Sequence, residues 1–97
     1  MKTQFYLRYL TTDEQGRWPV AIFSRVMEHG LPFDRVLPAA GAWIPTETIQ
    51  RWTLGFDSSD IEEISEDEAL AFLLGSLDEP TARRLLNEVT SSHEPST

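Results

Sequence analysis

Residues 20–27 read VAIFSRVM, and the fold turns on whether they run as strand or helix. As a strand, Val20, Ile22 and Val26 fall on one side, with Ala21, Phe23, Arg25 and Met27 on the other. As a helix, Pro19 would sit in the first turn and Gly30 just past the end. The β-branched residues and the alternation favour the strand.

Working outward, the preceding segment alternates in the same way. Phe5, Leu7 and Tyr9 share one face; Tyr6, Arg8 and Leu10 share the other. Gly16 suits the turn between the two strands. After the turn at "EHGLP", residues 33–37 form a third short strand, which Pro38 ends. "PAAGAWIPTE" reads as a loop. "TETIQRWTLG" reads as a short helix capped by Thr46 or Thr48 and stopped by Gly55, and "FDSSD" as a polar connection.

The clearest local signal is "EISEDEALAFLLGSL", residues 63–77. Ser65 with Glu68 makes a capping box, and Glu66, Asp67 and Glu68 complement the helix dipole. Leu70, Leu73, Leu74 and Leu77 supply an apolar stripe. Asp78 can cap a last helix with Ala82, Leu85, Leu86 and Val89 on one face. The expected fold class is α+β: a small three-stranded antiparallel meander packed against two or three C-terminal helices. Residues 1–90 form the single domain, and 91–97 a disordered tail.

Ninety-seven residues, 40% hydrophobic and 25% charged, suit one globular domain. There is no cysteine, which excludes disulfides and thiolate metal sites. Arg8 interrupts the apolar N-terminus, so no signal peptide is read, and no stretch approaches the roughly 20 apolar residues of a membrane span. A soluble, cytoplasmic protein is the expectation. The net charge of −8 is uneven. Residues 1–51 hold six basic and five acidic residues; residues 52–97 hold two basic and eleven acidic. Such a chain repels nucleic acid by bulk electrostatics, and a partner of its C-terminal half should be basic.

No catalytic constellation, cofactor fingerprint or metal set emerges, so no enzyme is expected. His29 falls in a turn and His93 in the tail. The acidic run from Asp57 fails as a calcium loop, because its sixth position is Glu62 where glycine is needed.

Three pairs repeat a pattern: Tyr6 and Arg8, Phe23 and Arg25, Phe33 and Arg35. If all three project from the face opposite Leu7, Ile22 and Val36, rings and guanidinium groups alternate across the sheet. Each contact would be worth about 0.5–1 kcal/mol. Such a face could stack bases or grip an acidic peptide; equally, the arginine stems could simply lie on apolar neighbours. Trp18, Trp43 and Trp52 are core-edge fillers or interface anchors.

"YLRY", "IFSRV", "GAW" and "EISEDEAL" in this order resemble the layout of small actinobacterial and phage proteins. Those pair a Tyr/Arg strand and a second Arg-bearing strand with a Gly-x-Trp loop and an Ile-Ser-x-x-Glu-Ala helix. The resemblance spans residues 5–77. Here the loop is extended by "IPTETIQRW" and a further helix follows Asp78. It implies a small α+β domain and no activity.

The first functional expectation is a non-enzymatic protein-interaction module, with Trp43, Trp52, Trp18, Glu66, Asp67, Arg8, Arg25 and Arg35 as candidate partner-binding residues. An acidic nucleic-acid mimic or antitoxin-like inhibitor of a basic protein is the second. Single-strand binding on the ring-and-arginine face is the third.

Overall fold

The computed structural model describes residues 3–38, 41–55 and 60–90. The strands are β1 (Thr3–Thr12), β2 (Gly16–Glu28), β3 (Leu31–Leu37), β4 (Ile44–Pro45) and β5 (Asp60–Ile64); the helices are α1 (Thr48–Thr53), α2 (Glu66–Leu74) and α3 (Glu79–Thr90). The decisive stretch is extended, and the β1-β2-β3 meander is present. Among the described residues the sheet has five strands rather than three, all paired antiparallel, in the order β4-β3-β2-β1-β5. The expected tail lies outside the described residues, as does most of "FDSSD".

Local chemistry explains the turns and ends. Glu28 pairs with Leu31, so the β2–β3 loop is only His29 and Gly30, with φ of 53° and 80°. Two successive left-handed residues make a type I′ turn, whose twist matches the strands it joins. In β2 an irregularity shifts the partner of Tyr9 to Pro19 while Arg8 pairs with Ala21. Val20 is the extra residue. Pro19 has no N–H to give the ladder, and a bulge accommodates it. Val20 was expected beside Ile22, but the bulge leaves it 45% exposed.

The capping box at Ser65 forms as read. Glu68 N–H donates to Ser65 Oγ at 3.1 Å, and Ser65 N–H donates to Glu68 Oε1 at 3.1 Å. Asp78 accepts from Thr81 N–H at 3.2 Å at the start of α3. α1 is capped by neither Thr46 nor Thr48. Thr48 already lies in its first turn, and the N-cap is Glu47, whose side chain makes no capping hydrogen bond. The hydroxyl of Thr46, just before it, accepts from Thr48 N–H at 3.2 Å, and Gly55, at φ 85°, closes the turn after the helix.

The sheet is covered on both faces. α2 and α3 lie on one, where Phe5, Leu7 and Ile22 pack against Ala69, Leu73, Ala82, Leu85, Leu86 and Val89. α1 lies on the other, where Tyr6, Phe23, Ile49 and Ile61 form a second cluster with Val36 and Trp52 at its edge. The α3 stripe is the one read from sequence. The α2 stripe is rotated: Ala69 and Leu73 are buried while Leu74 is 43% exposed. Centring the contact on Ala69 lets the helix approach the strands closely and turns Leu74 toward solvent.

The outward rotation of Leu74 sets a contrast. Leu85→Ala should lower the unfolding free energy by about 2–5 kcal/mol, and Leu74→Ala by less than about 1 kcal/mol. Urea titration of the two variants measures both; equal losses would place Leu74 in the core.

Candidate interaction surface

The eight residues singled out from sequence do not converge. The three tryptophans are all half-buried. Trp43 Nε1 donates to the Leu85 carbonyl at 2.9 Å, tying its loop to α3. Trp52 meets Tyr6 edge-to-face, ring centres 6.4 Å apart. Trp18 stands across from Leu10 on the outer part of the β1–β2 hairpin, beyond the residues that pair with β3 and β5.

The ring-and-arginine face is not assembled as expected. Tyr6 pairs with Phe23 and Arg8 with Ala21, so the first two pairs share the α1 side. In the third strand, however, Ile22 faces Leu37 and Phe23 faces Val36. Val36 therefore joins Tyr6 and Phe23, while Phe33 and Arg35 lie on the opposite face beside Val26 and Ser24. The register that brings Leu37 to the larger core and Asp34 to Arg25 determines this phase. The Arg35 guanidinium sits 4.8 Å from the Phe33 ring centre.

Arg25 has an internal role. Its Nε and Nη2 donate to Asp34 Oδ1 and Oδ2 at 2.7 and 2.9 Å, and the Asp34 side chain is only 1% exposed. The hydrogen bonds to Asp34 hold the guanidinium in its charged form more firmly than usual, against the opposing effect of burial. Burial raises the Tyr6 hydroxyl pKa, with nearby Arg25 opposing it. Arg8 is exposed, with no ion-pair partner among the described residues.

Arg17 was missed from sequence. Its guanidinium lies 3.7 Å above the Tyr9 ring, donates twice to Asp60 at 2.8 and 3.1 Å, and contacts Glu62 Oε2 at 2.6 Å. It clamps the edge strand β5 to the hairpin. The interaction shows only once β5 is known to pair with β1, because Tyr9 and Asp60 are then neighbours.

Glu66 and Asp67, exposed in the first turn of α2, stand at the end of β5. At Ser65 the chain leaves the sheet, whereas β1 continues past Phe5 to Thr3, whose hydroxyl donates to the Val89 carbonyl at 2.7 Å. The gap between the continuing strand and the departing helix is a groove of about 730 Å³. Gln4, Phe5, Glu63, Ile64, Glu66 and Glu68 line it, and among the described residues no basic one does. A smaller, mainly apolar groove of about 230 Å³ lies between α2 and the β2–β3 edge.

Among the described residues no group of three histidines or carboxylates is placed to hold a metal ion, and no helix is long and apolar enough to cross a membrane. No protein-family model, curated protein or solved structure matches this chain.

Two ion pairs give two tests. Asp34→Ala leaves Arg25 half-buried without its partner and should cost about 3–5 kcal/mol in urea titration; a loss of a few tenths would show the pair to be solvated. Arg17 holds the Asp60 carboxyl below its ordinary pKa, chiefly by hydrogen bonding. With the folded value below the unfolded one, Asp60 contributes stability above the ordinary carboxylate pKa and loses it as pH falls through the folded value. In Arg17→Met, a carbon-13 NMR titration should find the Asp60 midpoint moved upward; an unchanged midpoint would contradict the clamp.

Proposed function

We propose that this domain is a non-catalytic protein-binding module that takes a basic partner at the groove where β5 passes into α2. The observation that carries this reading is the groove's lining: three glutamates at the end of a strand and, among the described residues, no positive charge. Glu63, Glu66 and Asp67 have no ion-pair partner among the described residues, so their field is directed outward. Trp43 and Trp52 are engaged inside the fold, so this reading moves the docking surface away from them and keeps Glu66 and Asp67.

An acidic inhibitor of a basic protein would use the same end of the molecule and is the second reading, favoured by the excess of acid over base in residues 52–97. Base stacking on the sheet is not favoured. Arg25 is paired with Asp34, and Phe33 with Arg35 lies on the other face.

Binding of a fluorescent oligolysine peptide tests the reading. It should be measurable at low salt and fall steeply toward about 0.15 M, where charges are screened over about 8 Å. Glu63→Lys with Glu66→Lys should abolish it. Asp13→Lys with Glu14→Lys, the same change of charge at the far hairpin turn, should weaken it only modestly. Equal losses in the two double variants would mean that net charge alone attracts the peptide and would remove the groove from the account.

A further inference from the structure

We infer that the basic partner binds as an added β-strand on the outer edge of β5; this rests on the acidic-groove reading above and specifies its mode. β5 pairs with β1 along one side, and among the described residues no strand lies on its other side. In an antiparallel edge strand alternate residues turn both N–H and C=O away from the sheet. Across Asp60–Ile64 at least two residues therefore offer unpaired backbone groups. The strand is held in place from within, by Ile61 in the α1-side core and by the Arg17 clamp on Asp60 and Glu62. It is thus a preformed template that an incoming segment need not order.

The side chains on that edge select the occupant. Three of its five residues are acidic. A second copy pairing edge to edge would set carboxylates against carboxylates, which is destabilising. A basic strand meets the opposite situation. The two faces of β5 are not equivalent. Asp60 and Glu62 share Arg17, whereas Glu63, on the other face, has no ion-pair partner among the described residues. A lysine or arginine of the added strand on the Glu63 side would gain most, and the strand's end would run into the groove beside Glu66. The ligand class is an extended segment of about five residues with basic residues at alternate positions, held by main-chain hydrogen bonds.

Three versions of one peptide, Lys-Val-Lys-Thr-Lys-Val, decide the matter: unmodified, backbone N-methylated at positions 1, 3 and 5, and N-methylated at positions 2, 4 and 6. A strand added along one edge uses the N–H groups of one alternate set only. One methylated peptide should bind about tenfold or more weakly, and the other like the parent. If both methylated peptides bind like the parent, contact is by side-chain charge alone; strand addition is overturned and the acidic-groove reading stands. If both lose affinity equally, the bound peptide is not a one-edge strand, and the inference is again overturned. If the parent fails to bind even at low salt, the inference and the proposed function fall together.

Discussion

The structure depends on three consecutive residues of β1. Phe5, Tyr6 and Leu7 are all buried, although neighbours in a strand point to opposite faces. That is possible only because both faces of the sheet are covered there. Phe5 and Leu7 reach the α2–α3 core, and Tyr6 reaches the α1 cluster. The same residues are paired on both sides, with β2 and with β5. Each such side chain removed from water contributes about 1.5–3 kcal/mol. β1 is therefore the strand against which the other layers are placed, and the β1–β5 pairing is what sets the acidic edge at the boundary of the molecule.

What was legible followed from regular chemistry. The alternation in residues 20–27 identified β2, the Ser65–Glu68 pattern marked the start of α2, and the spacing of Ala82, Leu85, Leu86 and Val89 named the buried face of α3. β5 was not legible. Its two apolar residues, Ile61 and Ile64, are three apart, so they fall on opposite faces and show neither alternation nor a run. Its carboxylates read as a solvated connection because the cation that holds two of them, Arg17, is over forty positions away. β4, two residues long, carries no pattern at all. The phase of β3 was ambiguous because each of its faces carries both an apolar and a charged residue. The hidden partner was Asp34, whose match to Arg25 depends on register rather than on local sequence.

The distribution of charge follows from these pairings. The described ion pairs place Arg17 with Asp60 and Glu62, Arg25 with Asp34, and Arg83 with Glu79. The first two engage the central sheet, and the third lies on the surface of α3. None reaches the start of α2, where helix capping and the dipole already favour acids. The same glutamates that stabilise the helix locally leave a negative field beside a strand edge that has no neighbouring strand among the described residues. The proposed binding function thus arises from chemistry the fold needs for other reasons.

Amide hydrogen exchange, read residue by residue by NMR, tests the place of β1 and β5 most directly. A strand paired on both sides has every N–H bonded, whereas an edge strand has every second one free. The expected result is continuous protection over residues 5–8 and alternating protection over residues 60–64. Alternating protection in residues 5–8, or uniform protection in 60–64, would contradict it.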